Sequence, residues 1–228
     1  MKLQSLEFSG IIYSHDCMYL LLSAMRRTKA DTEKTRQQIL DAARRVFAER
    51  GVSRTSLEQV AAAACMSRGA IYWHFANKIE LFSAMREQVS MDMFERMGAA
   101  QLGKDVEDPL GAVRDSILEI LHGLEADERV REAFGILSLK CEYVGEFAEV
   151  LGRILQSADA WTDKLTLSYI HAQRLGLLRT GLDPRLLAVE SRSFIFGLVR
   201  LWLMDVGGTT VRPQARDMID THVAMRRA

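Results

Sequence analysis

The chain has 228 residues, 48% of them apolar, with three prolines and three cysteines, a composition that excludes a disordered or collagen-like polymer and is long enough to bury one large core or two modest ones. Cys17, Cys65 and Cys141 stand far apart, which excludes the paired spacing of a metal knuckle and the even count of a disulfide scaffold, and points to a reducing cytoplasm. The formal net charge of zero hides an asymmetry: from Arg26 to Gln88 there are 12 Lys+Arg against 7 Asp+Glu, and from Val89 to Ala228 there are 17 against 21, so a basic head sits on an acidic body and only the head suits a polyanion.

Residues 1–25 read as an over-long N-terminal extension, with translation expected to start at Met25. Its apolar run "MYLLLSAM" is too short to span a bilayer, and the flank holding Lys2, Glu7, His15 and Asp16 is not that of a signal peptide. No membrane partner is expected. Beyond it, helical periodicity dominates and predicts an all-α protein. In "TRQQILDAARRVFAERG", Ile39, Ala42, Ala43, Val46 and Phe47 recur at helical spacing, and Gly51 stands where a closing glycine belongs. Ser56 and Ser67 are N-caps for two short helices joined by a tight turn at Cys65 and Met66. Asn77 with Glu80 forms a capping box that opens a long fourth helix through Leu81, Met85, Val89 and Met93.

The body begins where Asp108 caps a helix and Pro109 takes its first turn. Helices are predicted over 110–126, 128–140 and 144–178. Asp183 and Pro184 repeat the start signal for a helix whose second half, "SFIFGLVRLWLMD", is apolar almost all round and is therefore expected to be fully buried, within the subunit or against a second copy through Val199 and Trp202. Gly207 and Gly208 close it, and a last helix is expected over 212–228.

A long helix followed by two short ones across a tight turn, in a basic region, is the helix-turn-helix plan, centred here on 56–75. That plan lays the second short helix in the major groove and presents Ser67, Arg68, Gly69 and Ala70 to base edges, with Arg68 able to pair bidentately with guanine. The run "IYWHF" then divides by face. Ile71 and Phe75 pack inward, while Tyr72 and His74 reach phosphates; Trp73 fits either a core corner or the DNA side. Lys78, at the start of the fourth helix, offers a further phosphate contact.

At these residues the chain resembles the TetR family of bacterial repressors, particularly the AcrR- and TtgR-like branch that controls multidrug efflux pumps. "RRTK", "TRQQILDAARRVFAERG" and "TSLEQVAAAACMSRGAIYWHFANKIELF" carry the likeness. The resemblance implies a DNA-binding domain over 26–89 and a helical ligand-binding and dimerisation domain over 90–228. It also implies phosphate contacts by Thr55 and Ser56 beside those of Tyr72, His74 and Lys78, and a basic arm at Arg26, Arg27 and Lys29. Cys65 departs from the glycine expected in the turn, which a right-handed turn conformation at the cysteine would accommodate.

In the body, "DPLG", "KCEY" and "GLVRLWL" continue the likeness. His122, Phe134, Ser138 and Cys141, with Arg192, Ile195, Phe196 and Val199 at spacings of three and four, supply a candidate lining for hydrophobic small molecules, bordered by Met93 and Met97 from the fourth helix. Spacing alone fits core packing, a surface histidine or an ion pair equally well; the resemblance is what favours a pocket. The expected protein is a ligand-responsive homodimeric repressor on a near-palindromic operator, of a multidrug efflux operon or alternatively of another metabolic or transport operon. No cofactor or enzyme activity is expected. Glu119 and His122 have the E-x-x-H spacing of helical-bundle metalloenzymes, but those need a second such pair, which the chain lacks.

Overall fold

The computed structural model describes residues 6–8, 11–13, 29–99, 102–103 and 105–228, with only the backbone described for 6–8, 11–13 and 90–99. Met25, Arg26 and Arg27 lie outside the described residues, as do the side chains of Met93 and Met97. Among the described residues nine α-helices follow one another: α1 (Lys29–Arg50), α2 (Leu57–Ala63), α3 (Arg68–His74), α4 (Lys78–Ala99), α5 (Pro109–Ala126), α6 (Glu128–Leu139), α7 (Ala148–Arg174), α8 (Pro184–Met204) and α9 (Ala215–Ala224). Two small features depart from an all-helical chain. One is an antiparallel ladder pairing β1 (Leu6–Phe8) with β2 (Ile11–Tyr13), and the other a single bridge between Leu178 and Arg227.

The helix starts follow from short polar side chains that satisfy otherwise orphaned N–H groups. Ser56 Oγ accepts from Gln59 N while Gln59 Oε1 accepts from Ser56 N, closing a full capping box on α2. Ser67 Oγ accepts from Ala70 N on α3. On α4, Asn77 Oδ1 accepts from Glu80 N, but the Glu80 carboxylate reaches back one residue further, to Ala76 N. Asp108 Oδ1 accepts from Gly111 N, and a Cβ at 111 would lie 2.4 Å from Asp108 Oδ2, so the glycine of "DPLG" is what lets the cap close. Asp183 caps α8 in the same way.

Three boundaries differ from expectation. The segment expected to begin a helix at 144 first makes a 3-10 turn, Gly145–Phe147, and α7 ends before Gly176, whose φ is +70°. The last helix is shorter than 212–228, because the chain end leaves it to bond with residues 177–179: Ala228 N donates to Leu177 O and Arg179 N to Arg226 O. Helix α8 is buried on one face only. Ile195, Leu198, Val199 and Trp202 pack into the body, whereas Phe196, Leu201 and Met204 are exposed, since neighbouring residues on a helix point about 100° apart.

Two apolar clusters organise the chain. The body cluster joins Leu110, Val113, Ile117, Leu121 and Leu124 of α5 to Trp161, Leu165 and Tyr169 of α7, the inward face of α8, and Ile219 and Val223 of α9. The second cluster is not confined to the head. Phe47, Val60, Ile71, Phe75 and Phe82 share it with Ile136 of α6, Phe147 and Val150, and Phe147 meets Phe82 edge to face at 5.4 Å. Polar fastenings reinforce this seam: Val52 N donates to Lys140 O at 3.0 Å, Lys140 Nζ to Ala48 O at 2.5 Å, and Arg44 Nε to Glu132 at 2.7 Å.

Candidate nucleic-acid interface and effector residues

Helix α3 is held by two hydrophobic side chains on its inner face, Ile71 and Phe75, both essentially inaccessible. Its other faces are left to solvent. The Arg68 side chain is 72% exposed and Trp73 is 69% exposed; Ser67, Gly69 and Tyr72 are also exposed. Trp73 therefore faces outward and does not fill a core corner. A Cβ on Gly69 would meet nothing closer than Ser67 Oγ at 4.0 Å, so the chain itself has no steric need of this glycine, and close approach from outside is what its missing side chain permits.

The turn before α3 contains Cys65 at φ +54°. The cysteine is thus in the left-handed region, against the expected right-handed turn. Met66 N donates to Ala61 O and Ala64 N to Val60 O, a closure of α2 that needs this backbone reversal. Strain at one residue is the cost of the tight turn.

Sequence reasoning missed Glu58. From α2 its carboxylate accepts from Tyr72 Oη at 3.2 Å and lies 3.3 Å from Arg68 Nε, while the Arg68 guanidinium sits 5.4 Å from the centre of the Tyr72 ring. Main-chain and Ser56 hydrogen bonds, with Tyr72 and the Arg68 charge, hold the Glu58 carboxyl below the usual carboxylate range. It gives two outward groups a common negative partner. The signal was spatial: positions 58, 68 and 72 meet only once the turn is folded.

Several expected phosphate contacts are placed otherwise. Thr55 is buried and its hydroxyl donates to Gly51 O at 2.8 Å, closing the loop after α1. Ser56 spends its hydroxyl oxygen on the α2 cap. The Lys78 ammonium turns back to the carbonyls of Val52 (3.0 Å) and Ser53 (3.2 Å), near the Phe147 ring, because the end of α1 offers carbonyls without helical partners. His74 is half-buried with its ring edge-on to Trp73 at 4.6 Å. Lys29 is exposed at the start of α1.

The expected effector residues do not converge on one cavity among the described residues. His122 is exposed, its Nδ1 3.9 Å from Glu119 one turn away. Phe196 is 54% exposed. Arg192, one turn before it and half-buried, donates to Asp159 at 2.5 Å and to Thr162 at 3.3 Å. Ile195 and Val199 belong to the body core and Phe134 packs partly against it, whereas Cys141 packs against the head-sharing cluster. Ser138 is half-buried, and its carbonyl accepts from Arg200 Nη1. Along α8 the four positions divide: Phe196 faces out, Ile195 and Val199 face in, and the half-buried Arg192 turns to α7. An open groove of about 440 Å³ does lie between α8 and α9, lined by Phe194, Gln214, Asp217, Met218, Thr221, His222 and Met225. Among the described residues no group of three His, Cys, Asp or Glu could hold a metal ion, and no helix is long and apolar enough to cross a membrane.

An exposed short helix, fixed by a partner helix across a tight turn and carrying arginine and aromatic groups outward, defines a helix-turn-helix transcriptional regulator. Residues 39–85 match the bacterial regulatory proteins of the tetR family, and residues 108–227 match the C-terminal region of the MAATS-type transcriptional repressors. The chain is 34% identical over 203 residues to the HTH-type transcriptional regulator TtgR of Pseudomonas putida, covering 89% of this chain and 96% of that protein. The crystal structure of NalD, the secondary repressor of the MexAB-OprM multidrug efflux pump in Pseudomonas aeruginosa, is similar with a TM-score of 0.73 and 32% identity over 86% of this chain and 97% of that one. A complex of SmeT with triclosan is similar with a TM-score of 0.72 and 28% identity over 86% of this chain and 92% of that one. The chain belongs to the tetR family of bacterial regulatory proteins and is a transcriptional repressor.

Proposed function

We propose that this repressor acts in the cytoplasm as a homodimer, that its head over 26–89 reads a near-palindromic operator of a multidrug efflux operon, and that a hydrophobic small molecule held in the body over 90–228 releases it. The observation that carries the DNA reading is the outward N-terminal turn of α3, where Ser67, Arg68 and Gly69 are exposed and Ala70 is half-buried beside them. Efflux control is supported by NalD, whose pump is named with it, and small-molecule release by SmeT, solved with triclosan. Within the body, Trp161 Nε1 is buried and has no acceptor among the described residues, a donor suited to a ligand oxygen. A two-fold partner would cover the outward side of α8 and α9, where Phe196, Met204, Met218 and Met225 are exposed. Gel-shift titration of the DNA flanking its own gene, with triclosan added to the complex, tests the reading. Protection of an inverted repeat and its loss on adding triclosan are expected; binding indifferent to sequence would overturn it.

A further inference from the structure

Helix α4 carries a charge in an unusual place. On this helix Met85 belongs to the cluster shared by head and body, and Val89 belongs to the body cluster. Between them Arg86 is only 7% exposed, and its Nε is buried with no hydrogen-bond partner among the described residues. The nearest carboxylate is that of Glu87, 3.7 Å from Nη2 and itself mostly exposed. Adjacent helical residues diverge in direction, so Glu87 does not follow the guanidinium inward. One turn earlier on the same side, Ser83 is also buried, and its Oγ also lacks a partner. Buried charges are ordinarily paired and hydrogen-bonded, because an unpaired one is costly.

We infer that Arg86 and Ser83 form a binding site for the carboxylate of a small aromatic acid, lodged at the seam between the two apolar clusters. The guanidinium supplies paired donors and the positive charge, Ser83 adds a third donor, and the apolar clusters on either side take the ring. The surroundings agree in sign. Tyr143, whose hydroxyl donates to Leu137 O, has its pKa raised by burial, and the Arg86 charge acts on it in the opposite direction. The Cys141 thiol is pushed up to about 11, chiefly by burial, and so brings no competing negative charge. This site narrows the effector class and rests on the small-molecule reading above for its effect on DNA.

The test uses the full chain with sodium benzoate and its neutral counterpart benzamide, by calorimetry and thermal melts without DNA. Benzoate is expected to bind the wild type at least about tenfold more tightly than benzamide. Arg86→Met should abolish that preference and Arg86→Lys should keep part of it, while Arg185→Met, an exposed control on α8, should leave it intact. Without benzoate, Arg86→Met should melt higher by roughly 2–4 °C, since it removes a buried guanidinium whose Nε has no hydrogen-bond partner among the described residues and whose Glu87 contact is long and mostly exposed. Equal binding of benzoate and benzamide by the wild type, absence of benzoate binding, or a lower melting temperature for Arg86→Met would overturn the site. Failure of benzoate to release DNA while it binds through Arg86 would instead overturn the regulatory reading and leave the site standing.

Discussion

At the scale of single residues, the proposed DNA reading turns on Arg68 and its partner Glu58. Arg68→Ala is expected to relax base preference and cost on the order of 1–3 kcal/mol of operator binding, read as gel-shift titrations against single-base operator variants. Glu58→Gln should act the other way: with the shared carboxylate gone, Arg68 and Tyr72 lose their negative partner, so binding to all sequences tightens and its salt dependence steepens. Cys65→Gly is expected to stabilise the fold by roughly 0.5–1 kcal/mol, because φ +54° strains any side chain but costs glycine little; urea denaturation measures it. The caps were legible in the sequence because Ser56, Ser67, Asn77, Asp108 and Asp183 each act on N–H groups within three residues. Glu58 and Arg86 were not, since one depends on residues ten and fourteen positions away, and the other on burial that a charged residue does not announce.

Among elements, α8 decides most. Its apolar run gave no sign of which side would face the core, because residues at every angle of "SFIFGLVRLWLMD" are hydrophobic; only packing against α7 and α9 separates them. Phe196→Asp should therefore yield soluble monomers in ultracentrifugation, and Trp202→Asp should fail to fold, since it buries an unpaired charge. Where α7, α8 and α9 meet, Tyr169 Oη, Ser191 Oγ and His222 Nε2 form a buried chain with links of 2.7 and 3.0 Å, and the Phe194 ring stacks on His222 at 4.0 Å. Burial, helped by the Arg226 charge, lowers the His222 pKa to about 4. The unfolded chain, with its histidine near 6.5, then takes up the proton first, so this contribution is whole above that pH and is lost as the pH falls toward 4. The loss is on the order of 3 kcal/mol, and the melting temperature of His222→Phe should vary less with pH than that of wild type across that window. Asp205, whose carboxylate accepts main-chain N–H groups from Thr209 to Arg212, titrates at about 2 and holds the loop between α8 and α9 well below that range.

Across the whole molecule, the proposed effector would release the operator only by favouring conformations that differ in the placing of the heads. A coupling of roughly 1–3 kcal/mol weakens operator binding by about five- to 150-fold, and the operator must weaken the ligand by the same factor; calorimetry with and without operator DNA reads both sides. Helix α4, with Met85 in the cluster shared with the head and Val89 in the body cluster, is one link between the two portions. The structure adds a second attachment, from α6 through Lys140 to the end of α1, so Lys140→Ala should reduce the coupling while ligand affinity in the absence of DNA holds. That attachment also bears on how such proteins can be recombined. Ile136, Phe147 and Val150 complete the packing around Phe47 and Phe82, so residues 29–89 cut free would present an unfinished apolar surface to water and aggregate. A chimera that moves this DNA-reading portion onto a foreign body must carry the end of α6 and the 3-10 turn with it. The reading portion and the sensing portion can be exchanged only along a line drawn through the second cluster, not at the end of α4's first turns.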